Sequence, residues 1–163
     1  KYWENDIKKW KYSGLALVDE VNSLRPRAVL DVGCGYNEFK GKIDNLIGID
    51  PYNDKADIQV STLEYRTTQK FDVMLCLGSV NFGSRDKIIS EVGRCVDLLE
   101  DGGTMFFRVN PGVQHNKPEA KWIEFFAWNV PFIIELSEIF NLKVLDIRDD
   151  SNQRKYFIYR KVK

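Results

Sequence analysis

Histidine is almost missing from this sequence, with His115 the only one in 163 residues, and cysteine occurs only at Cys34, Cys76 and Cys95. The three thiols are widely spaced and form no CxxC pair or Cys/His cluster, which argues against a zinc site and against a disulfide framework. They predict a reducing compartment, the cytoplasm, and no metal ligands. An excess of charge is lacking too: 24 basic residues balance 24 acidic ones. Without a global positive field to gather polyanions, nucleic acid is not favoured as a partner. No apolar run approaches the ~20 residues that span a bilayer. The basic, tryptophan-containing start also lacks the apolar core of a signal peptide. The expectation is a soluble protein with no membrane partner.

What is present is material for a core. With 44% hydrophobic and 13% aromatic residues, a chain of this length can bury roughly 70% of its unfolded surface. One domain over 1–163 is expected, with a helical segment at 1–25 and a core at 26–163. Ile7, Trp10, Leu15, Leu17, Val18, Val21 and Leu24 fall at roughly helical spacing around Gly14, predicting two helices before Pro26. Short apolar runs at 28–32, 46–49, 57–60 and 71–77 then read as strands of a buried parallel sheet. Ile88, Ile89, Val92, Val96 and Leu99 repeat at helical steps until Gly102 and Gly103, after which 104–109 resumes the strand pattern. An aromatic segment over 119–140 reads as a helix kinked or broken at Pro131. The runs 143–147 and 156–162 are joined by too few residues for a crossover helix and should pair as a hairpin. The pattern predicts a three-layer, doubly wound α/β sandwich. Its seven-stranded sheet should be mostly parallel, with one antiparallel C-terminal strand.

The run Val29-Leu30-Asp31-Val32 ends in Gly33-Cys34-Gly35. A strand leading through such a turn into a helix starting near Tyr36 would offer backbone amides to a polar ligand. The dinucleotide fingerprint G-x-G-x-x-G requires a third glycine at position 38, where Glu38 stands and would repel a pyrophosphate. Asp50 ends the next strand, nineteen residues after Asp31, where a carboxylate can accept hydrogen bonds from both hydroxyls of a ribose.

The segment resembles motif I of class I, Rossmann-like S-adenosylmethionine-dependent methyltransferases, an acid-x-G-x-G-x-G pattern matched at Asp31, Gly33 and Gly35. Asn37 replaces the last glycine, and asparagine enters the left-handed backbone region more readily than most residues. The resemblance implies S-adenosyl-L-methionine as cofactor and S-adenosyl-L-homocysteine as product. Asp31, Gly33, Cys34 and Gly35 would then meet the methionine part, and Asp50 with Pro51 the ribose. Ala56 to Glu64 resembles the third motif, with Ser61 in place of its usual acid, implying adenine contacts at Ser61, Thr62 and Leu63. The stretch from Phe71 through Leu77-Gly78-Ser79 to Gly103 resembles the same superfamily, implying further cofactor contacts at Leu77, Gly78 and Ser79, so the likeness covers Ala28 to about Val109.

Methyl transfer from a sulfonium is a direct displacement that chiefly needs alignment and exclusion of water. An acceptor carrying a proton also needs a base. His115, in the loop after 104–109, and Asn81, after 71–77, are the candidate catalytic residues. A solvated loop histidine and a turn-capping asparagine are the alternative readings. No Pro-Pro-aromatic motif follows 71–77, which counts against an amino methylase of DNA bases, and the cysteines lack a Pro-Cys setting. Trp122, Phe125, Phe126, Trp128 and Phe132 fit either core packing, the preferred reading, or a ligand cover. Arg154, Lys155, Arg160, Lys161 and Lys163 fit either phosphate contact or, preferred, protection of an edge strand. A small-molecule methyl acceptor is expected. The rival functions are a non-catalytic module that binds S-adenosylmethionine and an RNA-directed methyltransferase acting with a partner.

Overall fold

The computed structural model describes residues 15–80, 83–109, 126–149 and 154–162. Their elements are α1 (Leu15–Ser23), β1 (Val29–Val32), β2 (Leu46–Ile49), β3 (Phe71–Leu77), α2 (Arg85–Leu98), β4 (Leu99–Val109), α3 (Val130–Ile139), β5 (Leu142–Asp149) and β6 (Lys155–Lys161). No helix among the described residues is long and apolar enough to cross a membrane.

The sheet runs in the order β2-β1-β3-β4-β6-β5. The β1–β2, β1–β3 and β3–β4 pairs are parallel. The reversed strand β6 pairs antiparallel with both β4 and β5, as the short link between the last two runs requires. All four residues of β1 are buried, and six of the seven in β3, the pattern of strands covered on both faces. Alternation along the strands sends Leu30, Val32, Met74, Cys76 and Phe107 to one core. Val29, Val73, Leu75 and Phe106 go to the other. Helix α1 packs on the second face through Leu17, Val18 and Val21, and α2 and α3 pack on the first through Ile88, Val92, Ile133 and Leu136. These are the three expected layers.

Four local expectations need correction. The helix expected from Tyr36 is absent; residues 33–45 form successive turns. Gly35 (φ 56°), Asn37 (φ 59°), Gly41 (φ 84°) and Asn45 (φ 58°) are all left-handed, a conformation that a right-handed helix cannot continue through. The strand expected at 57–60 contributes a single parallel bridge, Ile49↔Ile58, leaving six strands among the described residues. There the Asp57 carboxylate accepts the Gly48 N–H at 2.8 Å, so a side chain occupies a place that ladder backbone would fill. Strand β4 begins at Leu99 rather than 104, through a register shift opposite β3 that jumps from Phe71↔Leu99 to Val73↔Thr104. Finally, Pro131 does not kink a long helix. It sits in the first turn of α3, after an Asn129 cap whose side chain accepts the Phe132 N–H at 2.9 Å, a position where its missing N–H costs nothing. The expected residues 119–125 of that helix, and the helix expected before Gly14, lie outside the described residues.

The C-terminal basic residues also have another role than edge protection, because β6 is an interior strand and β5 forms the edge. Lys161 Nζ donates to the Val96 and Leu99 carbonyls, both at 2.8 Å, fastening the end of α2. Arg154 is buried, and Lys155 pairs with Asp149.

A side chain at position 48 would break the packing of β2 against the turns after β1. A Cβ on Gly48 would lie 2.3 Å from Asn37 Oδ1 and 2.8 Å from Cys34 Sγ. Gly48→Ala is expected to lower unfolding free energy by about 1–3 kcal/mol, the usual cost of overpacking, measured by urea denaturation; an unchanged midpoint would refute the close approach.

Candidate functional site

The carboxyl ends of β1, β2 and β3 meet at one edge of the sheet. Parallel pairing of Val32 with Ile49 lets the two chains leave side by side, and Cys34 N–H donates to the Ile49 carbonyl at 2.9 Å, extending the ladder past β1. One residue on, Gly35 N–H donates to Asp50 Oδ2 at 3.0 Å. The other Asp50 oxygen accepts the Tyr52 N–H at 2.8 Å, a local turn that leaves Pro51 and Tyr52 on the surface, Tyr52 92% exposed. From the other side comes the turn after β3. A Cβ on Gly33 would sit 2.2 Å from Ser79 Cβ, whereas one on Gly35 would meet nothing within 4 Å. The loop is thus pressed closed at Gly33 and open at Gly35.

The acids differ sharply in setting. Asp31 is 4% exposed, and burial, with Asp50 nearby, pushes its carboxyl up to about 7. Asp50 is half-buried at the mouth. Burial, together with Asp31, Asp50 and Asp57, pushes the Cys34 thiol up to about 12, so it is a neutral, unreactive group at physiological pH. Ser79 Oγ is buried with no hydrogen-bond partner among the described residues.

Two supports of the loop lie outside the expected site. Asn37 Nδ2 donates to the Lys55 carbonyl at 3.1 Å and to Asp57 Oδ2 at 3.3 Å. Lys40 Nζ reaches the same Asp57 oxygen at 3.1 Å. Desolvation acts to raise the Asp57 carboxyl, but hydrogen bonds from Gly48, Lys40 and Asn37 hold it below the usual carboxylate range. The second support is Trp128, fully buried, whose indole N–H donates to the Val80 carbonyl at 2.9 Å. The need of a buried indole for an acceptor was the available signal for it. The ion pair carried none, since Asp57 reads as part of a strand.

Of the other expected residues, Leu77 ends β3 and is buried, and Gly78 turns at φ 107°. Ser61 hydroxyl donates to Glu64 Oε1 at 2.8 Å while the Glu64 N–H points back to Ser61 Oγ at 3.3 Å, so its proton is spent on its own turn. Thr62 is buried and Leu63 exposed. Asn81 and His115 lie outside the described residues, as do Trp122 and Phe125. Trp128 and Phe132 are core, which decides for packing in that part of the aromatic segment. No cluster of metal-ligating side chains occurs among the described residues.

No family model matches this sequence, and no curated protein matches it. Solved structures do. The N-methyltransferase NodS from Bradyrhizobium japonicum WM9 has a TM-score of 0.66 at 15% identity, over 90% of this chain and 93% of that one. The 1,6-didemethyltoxoflavin-N1-methyltransferase from Burkholderia thailandensis, with 1,6-didemethyltoxoflavin and S-adenosylhomocysteine bound, has a TM-score of 0.69 at 15% identity, over 90% and 76%. The magnesium protoporphyrin IX methyltransferase from Synechocystis PCC 6803, with S-adenosylmethionine bound, has a TM-score of 0.68 at 10% identity, over 90% and 76%. The chain has the fold of class I methyltransferases.

Two outcomes test this geometry. Asn37→Gly restores the glycine of the motif and suits φ 59°, yet it deletes the bonds to Lys55 and Asp57. It is expected to destabilise by about 1 kcal/mol in urea denaturation, whereas a stabilised variant would mean that Asn37 is only a substitute glycine. For Asp31, the folded state holds a proton that the unfolded chain releases near 3.8. Stability should therefore fall as pH rises from about 4 to about 7 and then level off, by up to about 4 kcal/mol. Asp31→Asn should remove that fall when unfolding is measured at pH 5 and pH 8; identical pH dependence in both proteins would refute the burial argument.

Proposed function

We propose that this protein is an S-adenosylmethionine-dependent methyltransferase acting on a small-molecule acceptor. The observation that carries the reading is Asp50, whose carboxylate takes the Gly35 N–H at 3.0 Å across the open end of the glycine loop. The donor set fits this cofactor better than a dinucleotide. Asp31 and Asp50 repel a pyrophosphate, and with no helix after the loop there is no helix N-terminus to offset that repulsion. Each Asp50 oxygen keeps acceptor capacity for a ribose hydroxyl. Asp31, raised to about 7 and so about half ionised near neutral pH, would be driven to ionise fully beside a cationic ligand, because an opposite charge favours the ionised form.

Bound here, S-adenosylmethionine would supply a methyl group on a sulfonium. Asp31, Gly33, Cys34 and Gly35 would hold its methionine end, Asp50 and Pro51 its ribose, and Ser61, Thr62 and Leu63 its adenine. With its own proton given to Glu64, Ser61 would act there as an acceptor. Leu77, Gly78 and Ser79 would bound the methyl-facing side, with the orphaned Ser79 Oγ available to a ligand. His115 and Asn81 are the proposed acceptor-side groups, His115 as the base when the acceptor carries a proton. A single domain over 1–163 in a reducing cytoplasm completes the reading, with three free cysteines in its support. Small-molecule acceptance is supported by the similar structures named for toxoflavin and porphyrin substrates.

Calorimetric titration with S-adenosylmethionine and S-adenosylhomocysteine is the test. The native chain is expected to bind both, and Asp50→Ala to weaken binding by about tenfold or more through loss of charge-assisted hydrogen bonds. Failure of the native chain to bind would sink the proposal. Undiminished binding by the variant would sink the ribose role alone.

A further inference from the structure

We propose that Trp128 is a positioning residue, through which the aromatic core beside β4 sets the distance between the turn after β3 and the glycine loop after β1. Only the ligand-binding arm of its test rests on the methyltransferase reading. Trp128 lies between β4 and α3 and is 0% exposed. Four rings hold its indole: Phe132 at 5.0 Å, Phe157 at 5.6 Å, Phe126 at 5.8 Å and Phe107 at 6.1 Å between centroids. Phe107 and Phe157 belong to neighbouring strands and are themselves stacked at 4.8 Å, so the indole N–H is a fixed point of the core. It donates to a carbonyl 48 residues away, at Val80.

Val80 is the last described residue of the turn Gly78-Ser79-Val80, outside both β3 and α2. Its neighbour Ser79 occupies the space that any side chain at position 33 would need, 2.2 Å from an ideal Gly33 Cβ. A displacement of Val80 of a few tenths of an ångström therefore reaches Gly33 through one backbone step and one van der Waals contact. Close-packed atoms pass on such a shift rather than absorb it. The route from Trp128 to the glycine loop runs through Val80 and Ser79.

The experiment compares the native chain with Trp128→Phe, which keeps a ring and deletes the N–H, and with Leu142→Ala, which opens the same hydrophobic core at the start of β5, at the far end of the sheet from the glycine loop. Amide hydrogen exchange is read on the protein alone, and S-adenosylhomocysteine affinity by calorimetry. Trp128→Phe should speed exchange both at Ser79–Val80 and at Gly33–Gly35 while β4 and α2 stay as in the native chain, and should weaken binding about tenfold. Leu142→Ala should lower the melting temperature with neither effect. Confinement of the Trp128→Phe change to residues around 128, or equal loop effects from Leu142→Ala, would overturn the proposal. Ser79→Gly provides a second arm if Trp128→Phe does not fold: it removes the relaying Cβ, so Gly33–Gly35 should exchange faster while the Val80 amide does not, and unchanged loop exchange would overturn the proposal. A native chain that binds no S-adenosylhomocysteine would refute the cofactor reading and leave the exchange results to decide this one.

Discussion

The hydrogen bond from the Gly35 amide to the Asp50 carboxylate is the contact on which the rest of this edge of the sheet depends. It forms because β1 and β2 are parallel and in register, Asp31 beside Gly48 and Val32 beside Ile49, so that the residues after both strands emerge together. It also requires Gly35 to turn left-handed at φ 56°, which a side chain with a β-carbon resists. Once made, it fixes where the chain after β2 goes. The second Asp50 oxygen takes the Tyr52 amide, and the tyrosine is thrown outward beside the open end of the loop.

A glycine loop of this kind is ordinarily steadied by the helix that follows it, and here there is none. Residues 33–45 turn repeatedly instead, so the rigidity has to be lateral. On the β2 side, Asn37, Lys40 and Asp57 bind the loop to the chain beyond the strand. Gly48 permits this because Asn37 and Cys34 occupy the place of a side chain there. On the β3 side, Ser79 presses on Gly33. Losing the helix also changes the electrostatics. The partial positive charge of a helix N-terminus is absent, and what remains around the loop are the carboxyl groups of Asp31 and Asp50. Such a mouth disfavours anions and rewards a ligand that brings cationic charge and hydroxyls.

Most of the sheet was legible because its signals are local. The apolar runs at 28–32, 46–49 and 71–77 needed only burial on both faces, and the hairpin at the end needed only a link too short for a helix. The misreadings occur where a residue serves a neighbour rather than its own element. Asp57 sits in a run that alternates like a strand, yet its carboxylate is drawn to the Gly48 amide, and the strand shrinks to one bridge. Pro131 reads as a helix breaker because the Asn129 cap two residues earlier, which makes it a starter, only acts once the chain has turned. The basic residues of β6 read as edge protection because strand order in space is invisible in the chain order. Spacing also put the glycine turn at the end of β1 and Asp50 at the end of β2, where the structure has them. The Asn37 side-chain bonds and the Trp128 anchor were not legible, since both depend on partners eighteen or more residues away.

Restraint from two sides has a consequence for how such a site can discriminate. The β2 side holds the loop by hydrogen bonds and an ion pair to groups near the surface, where solvent competes for every partner. The β3 side holds it by packing against a turn fixed to a dry aromatic core, where no solvent competes and small displacements are resisted. The softer side is the one lined by Asp50 and by open space at Gly35, and the stiffer one lies against Gly33. A ligand entering at Gly35 can thus be accommodated by small movements of the β2 side, while the end of the loop nearest β3 stays where the core holds it. For the proposed methyl transfer, a displacement whose rate depends on alignment, stiffness would be most useful on the side proposed to face the acceptor, where Ser79 presses on Gly33.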